Sequence, residues 1–278
     1  MRSKALDQLS PLAFDLREEN PDRYLATLFA PPAHRDALFA LYAFDNELAR
    51  VQTIVTEPMA GLVRLQWWQD VIDGFGDGFG DGFGAGFGNG VGRGGTVSHP
   101  VVKGLKRAVD EDGLDPVYLR RALDGRRRPF EDDPPSDLGS FERYLLDIGG
   151  SISCAALSLL GSNAREILAV AEGAGLVSAA WQQLRLLERS TPDRPTWLPA
   201  AWLEGSVEAT RDHLAEWALT RLAEARRQRP SIPRPLLAAF FSGTLAGVRL
   251  RDPIRSSQRP NLPSAVPRLA WCWLRARF

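Results

Sequence analysis

The stretch AHRDALFALYAFDNELARVQTIV, running from Ala33 to Val55, decides how the rest of the chain is read. Within it Leu41, Phe44, Leu48, Val51 and Val55 recur three or four residues apart, the period of an α-helix with one buried stripe. Working outward, Pro21 to Ala30 has the same period, and Pro31 and Pro32 part the two segments. Glu57-Pro58 stops the long helix, and a third begins near Met59 with Leu62, Leu65, Trp67, Trp68 and Val71.

The pattern then gives way to a four-residue repeat, Asp73-Gly74-Phe75-Gly76 and its copies, fading by Gly95, that takes twelve of the 25 glycines. Glycine at every second position costs too much backbone entropy for a helix, so residues 73–95 are expected to be a low-complexity loop inserted between helices. Calcium-binding rolls also use Gly and Asp, but with a period of nine.

Helical spacing resumes after His99-Pro100 and again from Pro116 to Leu123, where Asp124-Gly125 reads as a stop. Arg126, Arg127 and Arg128 are then expected to be a solvated loop, self-paired with Glu131, Asp132 and Asp133. Further helices are expected over Leu138 to Leu160, Ala164 to Leu187, Val207 to Arg229 and Leu236 to Leu250, before a Pro/Trp/Arg-rich tail over 251–278. No strand-like alternation is present, so the chain reads as one all-α domain over 1–278.

Composition narrows the function. With 34 basic and 34 acidic residues the formal net charge is zero, which excludes a strongly basic nucleic-acid binder. Cys154 and Cys272 are far apart and form neither a disulfide framework nor a thiolate site. The histidines His34, His99 and His213 lack metal-site spacing and read as caps or surface residues. Neither a signal-type run in Met1 to Ser10 nor about 18 continuous apolar residues occur, so a cytoplasmic protein, or one peripheral on the inner face of the membrane, is expected. In the tail, Trp271, Trp273 and Phe278 beside Arg268, Arg275 and Arg277 suit a membrane interface, or equally a terminal helix packed on the core.

A set of ordered pieces is more specific. Asp22-Arg23-Tyr24-Leu25 through Phe29-Ala30-Pro31 is followed by Arg35 and by Ala40-Leu41-Tyr42-Ala43-Phe44. Trp67-Trp68, His99-Pro100-Val101-Val102, Tyr144 to Ser153 and Trp197-Leu198-Pro199 come next. In this order they resemble the squalene/phytoene synthase family. The resemblance implies an isoprenoid-synthase-type helical bundle around a central cavity, with two aspartate-rich motifs on facing helices holding diphosphate through Mg²⁺.

On that resemblance the first motif falls on Ala49, Arg50 and Thr53, and none is a carboxylate. The second gives Gln182 and Arg185, then Leu186, Arg189 and Ser190 where acids would stand. A leucine and an arginine cannot ligate Mg²⁺, and Asp147 replaces a second aromatic after Tyr144. Asp45 and Glu47 lie one turn before the first motif and are expected on the outer face of the helix, solvated or paired, Glu47 with Arg50.

The pattern resembles the complex I assembly branch of the family, which keeps the helical body and loses the aspartates. It implies a non-catalytic factor in respiratory complex I assembly, contacting its subunits, or a binder of an isoprenoid or quinone-like lipid, with no cofactor. Arg35, Tyr42, Tyr144, Gln182 and Arg185 are the expected ligand-contacting residues. The alternative is an active Mg-dependent head-to-head prenyltransferase using Asp45 and Glu47.

Overall fold

The computed structural model describes residues 10–55, 57–75, 99–189, 196–228, 231–251 and 262–278. Most of the glycine-rich tract, from 76 to 95, and Ser190 lie outside the described residues. Among those described there is no strand.

Helices α1 (Pro11–Glu19) and α2 (Pro21–Leu28) each begin with proline at the first turn, where its missing N–H costs nothing. Ser10 and Asn20 cap them by accepting from the amides of Ala13 and Arg23. The deciding stretch forms α3 (Arg35–Ile54), buried over most of its first three turns. Helix α4 (Pro58–Asp73) carries Trp68, which packs edge-on against Phe44 with ring centroids 5.1 Å apart. Phe75, inside the expected loop, is buried as part of the core.

Helices α5 (Pro100–Asp110) and α6 (Pro116–Glu131) follow. Here the sequence reading is corrected: α6 passes straight through Asp124-Gly125 and ends only at Glu131. Gly125 is used for closeness rather than as a stop, because a Cβ there would lie 2.7 Å from the Ile148 side chain. Arg126 to Arg128 are therefore helical, and consecutive helical residues point about 100° apart. They cannot act as one solvated patch. Arg127 reaches Gln66 on α4 (2.9 Å) and Glu131 (3.9 Å), the one expected self-pairing found among the described residues.

The helix expected over Leu138 to Leu160 is three pieces: α7 (Leu138–Leu145), a π-helical turn (Leu146–Gly150) and α8 (Ser151–Leu159). Helix α9 (Arg165–Leu187) is the spine, packed on that turn, on α11 (Val207–Arg227) and on α12 (Ala238–Arg249), with the short α10 (Ala200–Leu203) before α11.

Leu262–Leu274 forms α13, resting on α2, with Leu269 buried and Phe278 packed on Phe240, ring centroids 4.9 Å apart. Among the described residues no helix is long and apolar enough to cross a membrane.

Candidate functional site

Four helices, α2, α3, α6 and α9, converge on one buried charged cluster. Asp45 on α3 is fully buried, which corrects the expectation that it lies on the outer face. Its two carboxylate oxygens are taken by different arginines: Arg23 of α2 binds one, and Arg126 Nη2 of α6 donates to the other at 3.0 Å. Arg126, 2 % exposed, also donates to Gln182 Oε1 on α9 at 3.0 Å. Arg23 lies over the ring of Tyr42, 5.1 Å from its centroid.

Electrostatics follow from this geometry. Burial alone would raise the Asp45 carboxyl's pKa, but the guanidiniums of Arg23 and Arg126 outweigh it and hold the group below its usual value. Burial pushes the Tyr42 phenol up to about 12, with Arg23 pulling it down and Asp45 adding to the rise. Two cations share one carboxylate, so the cluster keeps an excess positive charge. Arg23 Nε and Arg126 Nε and Nη1 are buried without a hydrogen-bond partner.

Asp45 and Glu47 do not cooperate. Two residues apart on a helix they point about 200° from one another, and Glu47 is half-buried, 4.0 Å from Arg50, the pairing that was expected. Arg50 also reaches Glu19 at 3.0 Å. Of the other motif positions, Ala49, Thr53 and Leu186 are half-buried and Arg50 and Arg189 exposed. Thr53 hydroxyl donates to the Arg50 carbonyl. These residues do not fit a magnesium ion, and among the described residues no three His, Cys, Asp or Glu side chains are grouped to hold a metal.

The expected ligand-contacting residues separate into two sets. Tyr42, Tyr144 and Gln182 are in or beside the cluster, whereas Arg185 is exposed. Arg35 donates to the carbonyls of Ala30 (2.9 Å) and Leu28 (2.8 Å), satisfying the end of α2. Tyr144 is buried, accepts from Gln183 Nε2 at 3.1 Å, is hydrogen-bonded by Gln52, and has Trp197 edge-on at 4.5 Å. A cleft of about 480 Å³, lined in part by Arg128, Ser140 and Arg143, reaches the same Trp197. Replacing Tyr144 by phenylalanine leaves two amide groups without their acceptor and is expected to cost about 1–3 kcal/mol, read as a lower urea midpoint with unchanged m-value.

Asp147, at the lost aromatic position, binds Arg121 (2.8 Å) and Arg128, so α6 is tied to the π turn by charge. Sequence reasoning missed Arg23, Arg126, Gln52 and Gln183. Arg23 stands inside a quoted motif, and its helical neighbours Thr27 and Ala26 are buried; Arg126 follows a dipeptide that reads as a helix end, so its spacing carries no signal.

The family model for squalene/phytoene synthase matches residues 16–271. The chain belongs to the squalene/phytoene synthase family. A solved dehydrosqualene synthase bound to ligand superposes with a TM-score of 0.69 at 16 % identity, covering 95 % of this chain and 93 % of that one. A squalene synthase from Alicyclobacillus acidocaldarius gives 0.63 at 14 % identity, covering 92 % and 100 %. These likenesses show the helical isoprenoid synthase fold.

Among curated relatives of this squalene/phytoene synthase family member, complex I assembly factor 6 of Mus musculus is 25 % identical over 269 residues, 91 % of this chain and 75 % of that protein. The Bos taurus and Homo sapiens proteins of the same name are each 28 % identical over 146 residues, 52 % of this chain. That stretch spans only 39 % of their own length.

Proposed function

We propose that this squalene/phytoene synthase family member is a non-catalytic factor that serves assembly of respiratory complex I, working on its subunits from the inner face of the membrane. The observation that carries it is the state of Asp45. The carboxylate an unorthodox metal site would need has both oxygens bound by Arg23 and Arg126. A divalent cation approaching it would meet two fixed positive charges. The similarity to the named assembly factors points to the process.

A second reading rests on a specific feature of the same core: an isoprenoid or quinone-like lipid held there. Arg126 Nε and Nη1 are buried donors without partners, beside Gln182 and close to Tyr144. A carbonyl or anionic head is the chemistry such donors take.

The test is direct. The purified chain, given radiolabelled farnesyl or geranylgeranyl diphosphate with Mg²⁺, with and without reduced nicotinamide cofactor, is expected to form no product while an aspartate-complete homologue does. Deleting its gene in the native host is expected to lower the assembled complex I seen on native gels. Turnover by the wild-type chain would overturn the non-catalytic reading. Unchanged complex I would overturn the assembly reading, and mass spectrometry of co-purified lipid decides the second one.

A further inference from the structure

Helix α13 is held in a definite orientation. Leu269 is buried, Arg234 Nη2 donates to the Leu274 carbonyl at 3.0 Å, and the Arg234 guanidinium lies over the Trp273 ring. Beyond the helix, Ala276 takes a left-handed φ of 49°, and the chain turns so that Phe278 packs inward on Phe240. The face opposite Leu269 is thereby fixed toward solvent.

That outward face is apolar. At about 100° per residue, Trp271 and Leu274 lie about 200° and 140° round the helix from Leu269. They are 56 % and 58 % exposed, an arrangement that water disfavours for the two largest side chains on the face. Val266 is 41 % exposed on the adjoining flank. On the other flank stand Arg268 and Arg275, about 240–260° from Leu269, and the Arg275 guanidinium lies 3.9 Å from the centre of the Trp271 ring. Residues 262–278 contain three arginines and no acidic residue.

We propose that this face of α13 is a docking surface for an anionic phospholipid bilayer, with Trp271 and Leu274 inserted at headgroup depth and Arg268 and Arg275 meeting lipid phosphates. An apolar pole flanked by arginines suits an interface whose outer layer is anionic and whose inner layer is hydrocarbon. The amphipathic indole rests where these layers meet. A second copy of the chain is disfavoured as occupant, because pairing this face with itself brings arginines together with no acid on the helix to answer them.

The inference goes beyond the assembly reading, and vesicle binding by the purified chain is measured separately from complex I levels. The full chain is sedimented with phosphatidylcholine vesicles, alone or containing phosphatidylglycerol. Binding is expected only with the anionic lipid and is expected to fall as salt rises. The paired change Trp271→Ser with Leu274→Ser is expected to weaken it at least about tenfold. Replacing Arg268 and Arg275 by glutamine is expected to cost roughly fivefold for each arginine. Because these side chains are exposed, both variants are expected to keep the wild-type melting temperature.

Absence of binding to anionic vesicles, equal binding to neutral ones, or wild-type binding by the serine variant would overturn the proposal. So would a wild-type dimer in solution that the serine variant dissolves, which would assign the face to a second copy.

Discussion

Replacing Asp45 by alanine is expected to lower unfolding stability by about 3–5 kcal/mol, since it leaves two buried guanidiniums without their counter-charge. In a chain of this size that is a fall in Tm of roughly 10 °C, measurable by circular dichroism and by urea titration. The change Asp45→Asn would keep one acceptor and the shape but not the charge, and its loss is expected to be smaller. Replacing all three partners together, with Arg23→Met, Asp45→Leu and Arg126→Met, is expected to restore most of the stability, because the uncompensated charges go with the carboxylate. A triple variant as unstable as Asp45→Ala would show that packing, not charge, explains the loss.

The same carboxylate has a pH signature. Its folded pKa is held below the usual 3.8, so the stabilisation it contributes is fully present above that value. It is lost as pH falls through the lower, folded value. The wild type is therefore expected to lose stability steeply below about pH 4, more steeply than the triple variant that lacks the cluster.

The second large effect is expected at Gly175→Val. A Cβ at Gly175 would stand 2.2 Å from the Gly149 carbonyl oxygen and 2.7 Å from Ser153 Oγ, and a backbone carbonyl cannot step aside as a flexible side chain can. The approach brings α9 against the π turn, and Gly125 does the same for α6 against that turn. Together the contacts set Gln182 and Arg126 within hydrogen-bond reach. Overpacking of this kind costs about 3 kcal/mol or more. Beyond lower stability, the variant is expected to lose hydrogen-exchange protection at both α9 and the π turn, whereas an exposed control such as Val207→Ala changes neither.

Much of the fold is legible in the deciding stretch. Leu41, Phe44, Leu48 and Val51 are all buried, and the stripe they form is the side of α3 that meets its neighbours. The prolines that separate segments stand at helix starts, where a missing amide hydrogen does no harm. The boundary at Gly125 misleads because the same residue serves to end a helix or to let another backbone come close, and only the neighbour at Ile148 distinguishes the two. The π turn is invisible for a related reason: its sequence, Leu-Asp-Ile-Gly-Gly, has ordinary helical spacing, and the extra residue per turn is imposed by what packs on it.

The candidate site is legible as a loss and illegible as a replacement. That no carboxylates stand at Ala49, Thr53, Leu186 or Arg189 follows from residue type alone, since side chains without oxygen anions cannot ligate magnesium whatever the fold. That Asp45 is instead bound between Arg23 and Arg126 joins positions 22 and 81 residues apart in the chain. Periodicity reports which residues share a face of one helix; it carries nothing about which face of another helix they will meet. The sequence by itself therefore determined the all-helical body and the missing metal ligands, because both are properties of local residue type and spacing. The tertiary structure alone decided that a surface-looking aspartate and an arginine from an apparent loop would become one buried charged cluster, because only the packing of α2, α3, α6 and α9 removes them from water and brings opposite charges into contact.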